Sequence, residues 1–342
     1  MGVSFVLRRL GWREEAVHPP RGMVKEECYL GRGVDVLNVY ERCGHACCYC
    51  YAEWPWSPGN VVVRVNVVER ARRDLAKRYL GRRVVINLGS AIDPYQPVES
   101  KFELTRRVIG LLMKFNASFY ICTKSRLVCR DLDLLSKYEN CWVGVTVTSL
   151  NPDFQRVFEP YAARPEERLR VIEKLIEAGV MVVARISPII PEVNDSLEEL
   201  RRLVGELKSV GVQHFTADVL KLDRRGYVFY GWSGMPKWKR PLIMALEEWG
   251  GSRLVGRIAE MYYRDGEVLY GYVVPREAER FRILSAVREF CGDAKFTTCN
   301  MGVEIKRRLT NWVGKSGKYM CACYAREPTE IRLSGKHKFS HG

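Results

Sequence analysis

The sequence predicts an α/β protein: a partial (β/α)6 TIM-type barrel followed by a smaller, basic, cysteine-containing C-terminal unit. Three observations lead there. Six short apolar runs rich in β-branched and aromatic residues recur along the first 220 residues, as buried parallel strands do. Helical patterns separate them, and strand alternating with helix means βαβ units on a parallel sheet. At 342 residues the chain can bury a full barrel core and still have more than a hundred residues left.

The predicted strands are Val34 to Tyr40, Val84 to Leu88, Ser118 to Cys122, Trp142 to Thr148, Val180 to Ile186 and His214 to Val219. Between them, helical periodicity covers Val67 to Leu80, Thr105 to Phe115, Pro165 to Ala178 and Ser196 to Val210. Gly179 and Gly211 follow two of these helices, where a left-handed C-terminal cap is expected. The expected organisation is an N-terminal extension over residues 1–32, the barrel over 33–220 and a basic C-terminal domain over 221–342. Active sites in such barrels collect at the C-terminal ends of the strands.

Composition excludes several classes. Apolar runs are too short to span a bilayer, and the N-terminus has no apolar stretch long enough for a signal peptide. A cytoplasmic enzyme with no membrane association is expected, and twelve cysteines in that compartment argue for metal rather than disulfides. Net charge is +15, and residues 220–342 supply +10 of it, with 23 Lys and Arg against 13 Asp and Glu. Aromatic residues interleave with this charge from Trp232 to Arg240, and again from Lys306 through Trp312, Lys318 and Tyr319 to Arg326. Such a mixture can track phosphates while stacking bases, and it can equally be the solvated face of helices. The summed bias favours a polyanionic substrate.

The strongest local signal is Cys43, Cys47 and Cys50, a C-x3-C-x2-C triplet directly after the first barrel strand. Thiolates are soft ligands that suit iron-sulfur clusters, and three in one loop can hold three irons of a four-iron cube. The fourth iron is then open, as catalytic metal positions are. A structural zinc knuckle would need a fourth ligand, and His45 and Cys48 lie inside the loop, where joining the same metal is difficult. A metal-free buried thiol cluster fits poorly with the flanking Arg42, Gly44 and His45.

With Tyr49 just before the third cysteine and Tyr51 just after it, the loop resembles that of the radical S-adenosylmethionine (SAM) superfamily, C-x3-C-x-aromatic-C. Further segments are similar to the spore photoproduct lyase-like branch, also described as DNA-repair-photolyase-related. They are Asn87 to Glu99 with its D-P-Y-Q-P-x-E run, Thr123-Lys124-Ser125, Arg130 to Leu135 and Val145 to Ser149. Phe158-Glu159-Pro160, Arg168-Leu169, Ile186 to Pro191 and Asn194-Asp195 complete the order. The resemblance implies a [4Fe-4S] cluster on the three cysteines, with SAM chelating the open iron and an electron donor of flavodoxin or ferredoxin type. It implies Lys124 on the SAM carboxylate, Tyr49 beside the cluster, and Ser90, Ser125, Thr146, Thr148 and Ser149 as candidate methionyl and ribose contacts. Asp93, Tyr95, Gln96 and Glu99 would shape the floor of the site, although an Asp before Pro94 is also an ordinary turn former.

Two features bear on the substrate. The photoproduct lyases carry a hydrogen-donating cysteine where this chain has Ser90, and a serine O–H bond is too strong for that role, which argues against photoproduct repair. Ile92 before Asp93 is a smaller departure from the branch's T-D-P-Y. Four further cysteines, Cys291, Cys299, Cys321 and Cys323, form C-x7-C-x21-C-x-C; a second iron-sulfur cluster or a zinc site would explain them, and so would buried thiols or a disulfide. Cys28, Cys122, Cys129 and Cys141 read as core or strand-end residues, and Cys48 as a free thiol beside the cluster or a packed loop residue. The leading expectation is a radical SAM enzyme modifying RNA or DNA. The alternatives are a radical SAM enzyme for a peptide, protein or small metabolite with an auxiliary cluster, and a non-catalytic iron-sulfur nucleic-acid-binding protein.

Overall fold

The computed structural model describes residues 4–19, 34–50, 61–89, 91–224, 240–299, 301–314 and 319–333. Its centre is an eight-stranded sheet. In chain order its strands are β2 (Val17–His18), β3 (Val34–Leu37), β6 (Val85–Leu88), β7 (Ser118–Thr123), β8 (Cys141–Thr146), β9 (Met181–Ile189), β10 (His214–Val219) and β14 (Lys295–Thr298). Strands β1 (Phe5–Arg8), β4 (Tyr40–Glu41) and β5 (Val61–Arg64) form a separate small sheet, and β11 (Leu222–Asp223) belongs to a third. In the large sheet every pairing from β3 to β14 is parallel and each strand lies beside its successor. Only β2 runs antiparallel, against β3. Strands β2 and β14 form open edges, so the barrel is partial. Six parallel strands are the predicted ones, with ends shifted by a few residues; the seventh comes from beyond residue 220.

Helices α1 (Val67–Asp74), α2 (Leu104–Lys114), α4 (Pro165–Glu177) and α5 (Leu197–Ser209) connect successive strands, and α3 (Pro152–Phe158) precedes α4. Ser196 caps α5 by accepting from the Glu199 amide at 3.2 Å. Gly179 and Gly211 end α4 and α5 at φ +75° and +93°, the left-handed conformation that glycine enters without steric cost. Ile86, Leu88, Phe119, Ile121, Val143, Ala184, Ile186, Phe215 and Ala217 pack outward with these helices in one core. Successive strand residues face opposite sides. Asn87, Tyr120, Trp142, Gly144, Arg185 and Thr216 therefore face the concave interior.

The stretch after Leu220 does two jobs. A helical segment α6 (Arg240–Ala259), broken at Gly250 and Gly251, joins the hairpin β12 (Glu267–Leu269) and β13 (Tyr272–Val274) in a second apolar cluster that also contains Cys48, Tyr49, Phe154 and Phe158. This cluster lies against the cysteine loop. The chain then returns through α7 (Glu277–Cys291), β14 and α8 (Val303–Leu309) to the outer core of the barrel. Its next segment plugs the N-terminal end of the lumen: Trp312, Met320, Ala322 and Ala325 pack with Val34, Val85, Tyr120, Trp142 and Val183. The Trp142 indole donates to the Ala322 carbonyl at 2.7 Å, and the Thr297 hydroxyl to the Met320 carbonyl at 3.0 Å. Residues 221–342 thus contribute both a strand of the barrel sheet and its plug.

His214, at the start of β10, packs against Trp312 of the plug with the rings tilted, 4.8 Å between centroids. Burial, reinforced by Lys295 and Arg326, pushes its imidazole down to about 4. An unfolded histidine titrates near ~6.5, so above that pH both states are neutral and no stability is lost. As pH falls from about 6.5 to about 4, the unfolded chain binds a proton that the native chain excludes, and stability declines. Urea midpoints should therefore drop over that window, and His214→Gln should flatten the drop; an equal drop in the variant would contradict the assignment.

Candidate active site

The cysteine loop is held from three sides. Gln96, fully buried, accepts from the Gly44 amide at 2.7 Å and donates to the Arg42 carbonyl at 3.0 Å, bracketing Cys43. His45 bridges through its two ring nitrogens, 3.0 Å from Asp93 Oδ2 and 3.0 Å from the Tyr161 carbonyl. On the third side the Cys48 amide donates to the Phe158 carbonyl at 3.0 Å, and the Cys48 side chain packs in the apolar cluster, so it is a packed loop residue.

The D-P-Y-Q-P-x-E run supplies most of this scaffold. Asp93 accepts from the Tyr95 amide at 2.8 Å, the Thr123 hydroxyl at 2.7 Å and the Lys124 amide at 2.7 Å, besides facing His45. Burial alone would raise its carboxyl, but these partners, His45 foremost, hold it below the ordinary value. With its oxygens so occupied, Asp93 positions the loop rather than offering itself to a ligand. Tyr95 donates to Asp131 at 2.9 Å, and buried Glu99 accepts from Tyr40, from the Thr105 amide at 3.0 Å and from Arg130 at 2.7 Å.

The electrostatic centre is Glu159, a residue that composition and spacing did not single out. Its carboxylate is 1% exposed and accepts from Tyr49 of the cysteine loop, Thr148 after β8 and Arg168 of α4. Burial would raise it, yet Arg168 and Lys124 hold it down to about 2. Lys124 stands over the Tyr49 ring, Nζ 5.6 Å from its centroid, and no acceptor among the described residues bonds that ammonium. Burial works against its charge, but Cys47 and Glu159 keep it raised. Two cations and one carboxylate leave one positive charge in excess beside Cys47. Interiors do not hold unbalanced charge cheaply, so the site calls for an anion.

The three loop thiols are half-buried, and Cys47 lies close enough to Cys43 and to Cys50 to act on both electrostatically. Burial pushes the Cys43 thiol up and the Cys47 thiol up to about 12, with Cys47 adding to the first effect and Cys50 to the second. A metal would have to displace those protons, and the surplus cation would then face thiolates. Of the other predicted contacts, Ser125 caps the turn at Arg126–Asp131 by accepting from the Leu127 amide at 3.2 Å. Ser149 bonds Glu199 and accepts from the Asn151 amide at 3.0 Å. Thr146 faces the lumen beside Arg185, and Ser90 lies outside the described residues, as do Tyr51 and Cys28.

The lumen itself is polar. Asn87 Oδ1, Tyr120 Oη, Arg185 Nε and Thr216 Oγ1 are buried without a hydrogen-bond partner, on four of the parallel strands. Such atoms in a native fold mark water or a ligand. Cys122 and Cys299 stand near Arg185, as does Asp218, which accepts from Ser187 at 2.6 Å. The four C-terminal cysteines are not brought together. Cys291 lies in the outer core at the end of α7, Cys299 faces Arg185, Asp218 and Lys221, and Cys321 and Cys323 sit in the plug with sulfurs 3.4 Å apart. Among the described residues no three His, Cys, Asp or Glu side chains gather into a single-ion site. Cys141 is buried and donates to the Tyr138 carbonyl at 3.0 Å.

Residues 37–204 match the model of the radical SAM superfamily. An uncharacterized protein of Methanocaldococcus jannaschii is 34% identical over 180 residues, which is 51% of this chain and 65% of that protein. One from Mycobacterium tuberculosis H37Rv is 30% identical over 267 residues, 74% of each chain. The chain belongs to the radical SAM superfamily and is an enzyme of that class. Membership implies SAM and a [4Fe-4S] cluster. The fold is that of spore photoproduct lyase: a variant with bound AdoMet and dinucleoside spore photoproduct superposes with TM-score 0.54 at 16% identity, over 75% of this chain and 72% of that one. No helix among the described residues is long and apolar enough to cross a membrane.

Glu159→Gln keeps the shape of the side chain and leaves buried Arg168 and half-buried Lys124 without their carboxylate. Breaking a buried pair from one side costs about 3–5 kcal/mol. Urea denaturation should show that loss, and Glu159→Gln combined with Arg168→Met should recover part of it. A single variant as stable as wild type would remove Glu159 from its central position.

Proposed function

We propose that this chain cleaves SAM reductively at a [4Fe-4S] cluster held by Cys43, Cys47 and Cys50, and modifies a nucleic acid rather than repairing a photoproduct. The observation that carries the reading is the unbonded Lys124 ammonium beside Cys47, one charge in excess of Glu159. When bound, cluster and SAM together supply a 5′-deoxyadenosyl radical, which abstracts hydrogen from a C–H bond. The residues of the chain do the rest. Lys124 would take the SAM carboxylate in a charge-assisted bond, Tyr49 would hold the lysine by its ring, and Glu159 would keep both in position through Tyr49 and Arg168.

The apolar cluster of Cys48, Tyr49, Phe154, Leu242 and Leu246 keeps water from that side of the loop, as a radical requires. Ahead of it the lumen offers the unpartnered atoms Asn87 Oδ1, Arg185 Nε and Thr216 Oγ1, with the Tyr120 hydroxyl beside Arg185, a set of donors and acceptors suited to a polar substrate. Net charge of +15 supports a polyanion, and serine at position 90 argues against the hydrogen return that photoproduct repair needs.

Anaerobically reconstituted, reduced protein should form 5′-deoxyadenosine. Replacing Cys43, Cys47 and Cys50 by alanine should abolish it and remove four irons per chain on analysis; iron left over would reveal a further cluster. Lys124→Met should raise the KM for SAM by about 10- to 150-fold, the loss of one hydrogen bond to a charged group, with iron content unchanged. Bulk tRNA or single-stranded DNA should bind at low salt and be released as salt rises; no binding at low salt sinks the nucleic-acid part of the reading.

A further inference from the structure

The C-terminal aromatics that accompany the basic charge do not all serve for stacking. Trp312 is 5% exposed and committed to His214, while Trp232 and Lys318 lie outside the described residues. Among the described residues the exposed tryptophan is Trp12, 79% accessible, in the N-terminal stretch to which the function above gives no role. It stands at a turn closed in both directions: the Glu14 amide donates to the Gly11 carbonyl at 3.1 Å, and the Gly11 amide to Glu14 Oε2 at 2.6 Å.

That turn is pinned to α1. Asn66, just before α1, accepts from the Leu10 amide at 2.8 Å and donates to the Leu10 carbonyl at 3.1 Å, and Arg70 donates to that same Leu10 carbonyl at 3.2 Å. Arg73 donates to the Trp12 carbonyl at 2.7 Å and the Glu14 carbonyl at 3.1 Å. The guanidinium carbons of Arg70 and Arg73 each lie 5.5 Å from the indole centroid, within cation–π range. An apolar ring is therefore held out in solvent by a rigid support, with no core to fill.

Beside it is a cleft of about 240 Å³ whose wall includes Trp12, Arg13, Arg73, Lys77 and Arg78. The two acids in the same wall are already engaged. Asp74 accepts from the amides of Ala16 and Val17 at 2.7 and 3.2 Å and from Arg73, and Glu15 pairs with Arg78. No carboxylate among the described residues pairs with Arg13 or Lys77. The surrounding segment 61–83 carries eight Lys and Arg against two Asp and Glu, so the unmatched charge extends along α1 and beyond.

We propose that this cleft binds single-stranded nucleic acid, with an unpaired base stacked on Trp12 and its neighbouring phosphates on Arg13 and Lys77. The inference rests on the nucleic-acid reading above. An aromatic platform flanked by free cations matches the two faces of a nucleotide, whereas an isolated anion would have no use for the ring. A duplex fits less well, because its base faces are already stacked on one another.

The test uses the full chain, cluster-loaded and anaerobic, and follows fluorescence anisotropy of labelled 12-nucleotide DNA, RNA and duplex DNA across a salt series. Trp12→Ala should weaken single-strand binding by about 5- to 150-fold, the range of one base–aromatic stack, while Trp12→Phe keeps most of it. Arg13→Gln with Lys77→Gln should lower the slope of log K against log salt by about 1.4, two phosphates on a single strand. SAM cleavage without substrate should be the same in every variant, showing that the barrel is intact. The tighter of the two single-strand arms identifies the sugar of the partner. Wild-type binding that is indifferent to Trp12→Ala, or as tight on duplex as on single strand, overturns this inference and leaves the reading above standing. No binding of any strand by wild type overturns both.

Discussion

The buried carboxylate of Glu159 is the interaction on which the site depends. It reaches the cysteine loop through Tyr49, the end of β8 through Thr148 and helix α4 through Arg168, so three separately folded pieces meet at one charged group. A buried carboxylate survives only when its lone pairs are filled and its charge is answered. Arg168 answers it, and Lys124 then exceeds it. That excess leaves an unbonded ammonium beside Cys47, so the carboxylate that ties the three pieces together leaves one positive charge unanswered.

The scaffold around the loop obeys the same economy. Asp93, Tyr95, Gln96 and Glu99 face inward and spend their hydrogen bonds on the backbone and side chains of neighbouring segments. Gln96 brackets Cys43 from both sides, and His45 joins Asp93 to the chain beyond α3. The shape of the loop is thus tied to the segments around it. Serine and threonine hydroxyls offered by sequence as ligand contacts turn out to be largely occupied: Ser125 as a cap, Thr148 on Glu159, Ser149 on Glu199.

Much of the barrel was legible in the chain because periodicity reports burial directly. The run His214 to Val219 is a strand as predicted, and Gly179 and Gly211 end their helices with positive φ. The seventh strand was not legible. Lys295–Thr298 is four residues of mixed character, and only its pairing with β10 across some eighty residues of sequence makes it a strand. The same holds for the four C-terminal cysteines, whose proximity in sequence did not translate into proximity in space.

Residue type and spacing alone pointed to metal chemistry in the loop, since three thiols within eight residues suit one cluster. They determined the parallel strands and the charge of the chain as well, because these are local or additive properties. Tertiary structure decided which charges remain unpaired. Glu159, Arg168 and Lys124 come from three segments, and Trp12 owes its support to Arg70 and Arg73 of a helix more than fifty residues on and to Asn66 just before it. Pairing and exposure are relations between distant segments, and they exist only once the chain has folded.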